Sequence, residues 1–144
     1  VGSEMCIRDR PYMKKNSNII NIASVAAFQP VPYINVYAAS KAYVLSFSRS
    51  LGKELSKEGI HVLTVCPFWT KTKFFDRAVE KNKVIKKYVV MYEPTDVVRK
   101  AYIDMQKKKS VSVYGFIANV QRVLCKLLPH NFVMSIWCKQ QKLK

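Results

Sequence analysis

The sequence predicts an α/β fold built on a parallel sheet, and three observations carry that expectation. Residues 18–23 (NIINIA) and 61–66 (HVLTVC) are short, nearly continuous apolar runs of the kind buried on both faces of a parallel sheet. A long helical pattern lies between them. A second helix and a short alternating segment at 110–114 (SVSVY) follow. Strand, helix, strand, helix, strand, with connections long enough for right-handed crossovers, is the pattern of an α/β domain.

Taken in order, residues 1–10 (VGSEMCIRDR) carry both charges and no periodicity, and they precede no apolar core as a signal peptide would. They read as a non-native leader, which makes 11–115 the folded region and 116–144 a C-terminal extension. Residues 11–15 look like the tail of a helix. The loop at 24–36 holds Pro30 and Pro32, both awkward inside a helix. A helix is expected over 37–57, stopped by Gly59. Pro67 closes the second strand. Residues 70–92 are polar, basic and dotted with Phe74, Phe75, Tyr88 and Tyr92, and they read as a helical excursion from the sheet. Glu93-Pro94-Thr95-Asp96 opens the next helix, with Thr95 as N-cap, Asp96 in the first turn and Lys107-Lys108-Lys109 as a basic last turn. In the extension, Phe116, Ile117, Val120, Val123, Leu124, Leu127 and Leu128 form one apolar helical face. After Pro129, Phe132, Val133, Ile136 and Trp137 repeat the pattern.

Composition narrows the function. The 144 residues carry a net charge of +16, spread unevenly: residues 99–144 hold ten Lys/Arg and one acid, Asp104. No nucleic-acid-binding signature accompanies that charge, so it reads as a solvated basic surface, with anionic lipid as the sharper alternative and no nucleic acid. The four cysteines form no CxxC pair and the two histidines lie far apart, which argues against a zinc site or a disulfide framework and for reduced thiols in the cytoplasm. Glycines stand only at 2, 52, 59 and 115, so no Gly-rich strand-to-helix turn for a dinucleotide is present.

The chemistry-bearing set is Ser24, Tyr37 thirteen positions on, and Lys41 one helical turn later, followed by a strand ending in Pro67 with Thr70 and Thr72 beyond it. A hydroxyl at a strand end, a phenol and an ammonium are the parts needed to move a proton to or from a carbonyl oxygen. A free tyrosine titrates near ~10, and an ammonium one turn away favours the phenolate.

Over residues 16–72 this ordered series (NIINIAS, YAASK, SLGKEL, VLTVCPFWTKT) resembles the catalytic core of the short-chain dehydrogenase/reductase family. The resemblance implies the C-terminal half of a Rossmann-like doubly wound parallel sheet, extended by amphipathic helices. It implies a parent enzyme that interconverts a carbonyl and an alcohol with NAD or NADP. In that reading Tyr37 is the general acid/base, Lys41 assists it and binds the nicotinamide ribose, and Ser24 orients the substrate oxygen. Pro67, Thr70 and Thr72 fall where the family wraps the nicotinamide carboxamide, with Phe68 standing where the family has glycine. Ser24, Phe28, Phe68 and Phe74 are candidates to line the pocket for a small apolar substrate. The helix over 37–57 is implied as a homodimer contact.

The family's cofactor-binding half, about 100 residues with the Gly-rich turn, would lie upstream. The chain alone is therefore expected to be inactive, to bind cofactor poorly, and to expose one edge of its first strand. A reading of a different class remains beside this one: a non-catalytic interaction or membrane-surface module using the basic amphipathic C-terminal helices.

Overall fold

A computed structural model of the protein describes Arg8, residues 10–73 and residues 90–142. Most of the predicted leader and most of the excursion, with Phe74, Phe75 and Tyr88, lie outside the described residues. The elements are β1 (Asn18–Ile22), α1 (Asn35–Leu55), β2 (His61–Val65), α2 (Pro94–Gln106), β3 (Val111–Ser112), α3 (Phe116–Leu127) and α4 (His130–Gln141), with 3-10 turns at Arg10–Tyr12, Val25–Phe28 and Ser56–Glu58. The sheet runs β1-β2-β3, all parallel, with Asn18 opposite His61 and Thr64 opposite Val111.

Helices cover the sheet from both sides. The stripe of α1 that meets it reads Ala38, Lys41, Leu45, Ser48, Gly52, Leu55, a spacing of three and four that returns to one face. Small residues set the approach. Gly52 leaves room for Val62, whose Cβ would lie 3.4 Å from an added Cβ. Ser48 is buried, donates to the Val44 carbonyl at 2.6 Å and accepts from Asn21 Nδ2 at 2.9 Å. Leu51 and Leu55 close that side against Ile19, Ile60 and Val62. On the opposite face Leu63 and Val65 pack on Val97 and Ala101 of α2. The doubly wound arrangement follows from this alternation along β2, each face taking every second side chain.

The central strand is buried on both faces, but β1 is not. Ile19 is 6% exposed, whereas Ile20 and Ile22 are 47% and 55% exposed. Their face is the one α2 covers over β2, and α2 does not reach across β1. Among the described residues β1 pairs only with β2, so its other edge carries no strand.

Local chemistry departs from expectation in three places. Where a helix tail is expected over 11–15 there is only a 3-10 turn at Arg10–Tyr12, and Arg10 pairs with Glu58. Helix α2 begins at Pro94 with Glu93 as its N-cap and no side-chain cap, so Thr95 already lies inside the helix; Pro at the first position supplies the preset φ a start needs. The three lysines follow α2 rather than forming its last turn, with Lys108 at φ 51° turning the chain toward β3.

That turn serves a buried charge. Asp104, 2% exposed, accepts hydrogen bonds from Ser112 Oγ at 2.8 Å and from Lys100, and Lys109 Nζ lies 2.9 Å from its other oxygen. Burial pushes the carboxyl up, but the bonds from Lys100, Lys109 and Ser112 outweigh it and hold the group below the usual carboxylate range. The contribution to stability is therefore fully present above the unfolded value of ~3.9 and drains away as pH falls through the lower folded value. Replacing Asp104 by Ala strands a buried serine hydroxyl and should cost about 2 kcal/mol at neutral pH. Urea melts at pH 7 and at pH 3 check this, the gap between wild type and variant narrowing in acid.

Candidate active site

Beyond Ile22 the β1 backbone keeps to its neighbour: Ala23 N–H donates to the Val65 carbonyl at 2.8 Å and Val25 N–H to the Pro67 carbonyl at 3.1 Å. Ser24 sits between these two bonds, 8% exposed, and its Oγ accepts from Ala26 N–H at 3.2 Å, capping the turn at Val25–Phe28. That cap fixes the hydroxyl at the C-terminal end of the strand, where the loop turns back toward α1.

Tyr37 lies in the first turn of α1, and Ser40 Oγ donates to its carbonyl at 2.7 Å. Lys41 belongs to the sheet-facing stripe of α1, which is why its ammonium reaches down to the Ile22 carbonyl at 3.2 Å. The same ammonium stands 5.7 Å from the centroid of the Tyr37 ring. One bond to Ile22 uses one of three N–H donors, leaving the others for a ligand.

Ser24, Tyr37 and Lys41 all line one cleft of about 1040 Å³. Pro67, Phe68, Thr70 and Thr72 line it too, from the loop after β2. That loop is held by a short parallel bridge: Tyr92 N–H donates to the Trp69 carbonyl at 2.8 Å and Lys71 N–H to the Tyr92 carbonyl at 3.0 Å. Thr70 Oγ1 donates to the Phe68 carbonyl at 3.0 Å. The Phe68 side chain is accommodated in the core, its ring edge-on to Trp69 at 6.0 Å and tilted to Tyr92 at 6.2 Å. Phe28 is not brought to the cleft. The 3-10 turn aims it at the core cluster around Leu45 and Cys66, with the Arg122 guanidinium 5.6 Å above its ring. Phe74 lies outside the described residues.

Two contacts from the extension complete the wall, and neither is legible as a pairing in the sequence. The Trp137 ring stacks on Trp69 at 6.4 Å and its Nε1–H donates to the Pro32 carbonyl at 3.2 Å, docking α4 on the proline loop. Gln29 Oε1 accepts from Cys125 Sγ at 2.7 Å and from Gln121 Nε2 at 3.3 Å, docking α3 on the turn after Ser24. A buried tryptophan needs a partner for its N–H, which marks Trp137 as structural, but the identity of that partner is a long-range fact. Gly115, at φ 96°, starts α3, and an added Cβ there would collide with Tyr92 Oη.

A hydroxyl, a phenol and an ammonium thus line one apolar cleft at the C-terminal ends of parallel strands, the place where open α/β sheets bind their ligands. Residues 3–104 match the family described as enoyl-(acyl carrier protein) reductase. The chain belongs to it, and so to the short-chain dehydrogenases/reductases. It is similar to the uncharacterized oxidoreductase YghA of Escherichia coli, 42% identical over 62 residues, 42% of this chain and 21% of that protein. It is also similar to alcohol dehydrogenase 1 of Ceratitis capitata, 42% identical over 89 residues, 57% of this chain and 32% of that protein. Among solved structures, a short-chain dehydrogenase from Sphingobium yanoikuyae in complex with NADPH matches 82% of this chain and 44% of its own, with 28% identity and a TM-score of 0.59. The chain thus spans about a fifth to a third of the length of these curated relatives and less than half of this solved one.

Cys66 lies at the end of β2 beside the site but is fully buried, and burial pushes its thiol up to about 12. It has neither the exposure nor the thiolate fraction a nucleophile needs. Alkylation by iodoacetamide at pH 8 should leave Cys66 unmodified in the folded chain and label it in urea, as read by peptide mass spectrometry.

Proposed function

We propose that this chain is the substrate-facing part of an NAD(P)-dependent oxidoreductase that interconverts an apolar carbonyl compound and its alcohol. The observation that carries the reading is the shared cleft wall of Ser24, Tyr37 and Lys41, with Pro67, Thr70 and Thr72 facing the same space. The Ser24 hydroxyl, held by its cap, orients the substrate oxygen. The Tyr37 phenol gives that oxygen a proton in the reductive direction and takes it back in the oxidative one. Lys41, anchored through Ile22 and beside the Tyr37 ring, has donors left that would hold the ribose hydroxyls of a bound nicotinamide cofactor. The apolar lining excludes water from the reacting carbon. The nicotinamide supplies the hydride when bound.

The donor set fits the nicotinamide end of such a cofactor: an ammonium with free N–H groups and threonine hydroxyls beside a proline turn. Nothing in the sequence fits its pyrophosphate, since no glycine falls in a strand-to-helix turn. Weak dinucleotide binding and no turnover are accordingly the outcomes expected of this chain by itself.

Calorimetry with NADH and NADPH, on this chain and on one extended by the upstream half of its gene, should show tight binding by the extended chain only. In the extended chain Tyr37→Phe should lower kcat by ~10²–10⁴-fold, the usual worth of a positioned acid/base. Unchanged turnover in that variant would remove Tyr37 from the role.

A further inference from the structure

Helix α3 is docked the wrong way round for a core helix. Its buried face is Ala118 and Cys125, small side chains that meet the turn after Ser24, while Phe116, Val120, Val123 and Leu127 project from the other side. Phe116 and Leu127 are 83% and 73% exposed. At ~100° per residue these four, with Ile117 and Leu124, fill an arc of about 120°. An apolar stripe of this width normally turns inward. Phe132 and Ile136 of α4 are also exposed, beside the exposed Lys139. Residues 116–144 carry five Lys/Arg and no acid.

We propose that α3 and α4 seat the protein on an anionic lipid bilayer, the α3 stripe lying in the interface and the basic side chains meeting lipid phosphates and carboxylates. Charge selects this occupant. A second copy would bring one basic rim against another on a chain of net charge +16, whereas an anionic surface complements it. Length excludes the deeper alternative, because α3 has 12 residues and among the described residues no helix is long and apolar enough to cross a membrane. An interfacial helix needs neither length nor a buried partner, only an apolar face and cations. Ile117, Val120 and Leu124 also line the cleft that holds Tyr37, so stripe and cleft form one continuous apolar surface. The docking itself does not depend on the catalytic reading, and its test uses no activity.

Sedimentation of this chain with vesicles of phosphatidylcholine, alone or mixed with phosphatidylserine, tests it. The expected result is pelleting with the mixed vesicles, little with the neutral ones, and release in high salt. Val123→Asp with Leu127→Asp, both at exposed positions, should lower the bound fraction about tenfold. Tyr12→Asp, exposed at the opposite end of the sheet, should leave it unchanged. Lys126→Glu with Lys139→Glu provides a second route, weakening binding to the mixed vesicles without touching the stripe. Equal binding to neutral vesicles, or binding undiminished in both double variants, overturns the proposal. So does a concentration-dependent dimer in the absence of lipid that the aspartate variant abolishes, which would assign the face to a second copy.

Discussion

The parallel ladder between β1 and β2 is the constraint on which the site depends. It does not stop where the strands formally end: the bonds Ala23 to Val65 and Val25 to Pro67 carry the pairing past Ser24 to the loop beyond β2. Two segments 43 positions apart in sequence, Ser24 and Pro67, are thereby brought to one cleft edge. Lys41 then uses the same strand from the other side, since its ammonium is satisfied by the carbonyl of Ile22. A slip of the β1–β2 register would move the serine, the anchor of the lysine and the proline turn together.

Charge is used sparingly inside and freely outside. The buried carboxylate of Asp104 is matched by two lysines and a serine, tying α2, its following turn and β3 into one corner. Most other cations stand on the surface. Aromatic rings do much of the long-range joining around the cleft: Tyr92 meets both Phe68 and Tyr114, and Trp69 meets both Phe68 and Trp137. The loop beyond β2 is held by this chain of rings as well as by its backbone bridge.

Much of this was legible in the sequence because local patterns carry it. Apolar runs gave the strands, three-and-four spacing gave α1 to within two residues of its start, and Gly59 at φ 72° ends the turn that follows α1. The Ser24, Tyr37, Lys41 set and the Pro67–Thr72 loop line one cleft, a proximity implied by the family resemblance rather than by any local pattern. What failed was what depends on neighbours. The apolar run of β1 reads as buried on both faces, yet burial is decided by whether α2 reaches it. Phe28 is a candidate for the pocket, and the 3-10 turn places it instead on the core cluster around Leu45 and Cys66. The α3 stripe is unmistakable in sequence, but its outward orientation is not, because the docking is set by two small residues on the opposite side.

Gly115 has a meaning for how such a chain can diversify. It is the joint between the sheet-bearing body and the terminal pair of helices, and the space beside it is filled by the Tyr92 hydroxyl. Any side chain there presses on the ring that also braces the loop beyond β2. Past this joint the extension is seated on the body by the bonds to Gln29 and Pro32 and by Ala118 and Trp137, which enter two of its core clusters. Changes on the cleft side of these helices can therefore retune what its mouth admits, so long as Ala118, Trp137 and the bare backbone at 115 still seat the pair on the body.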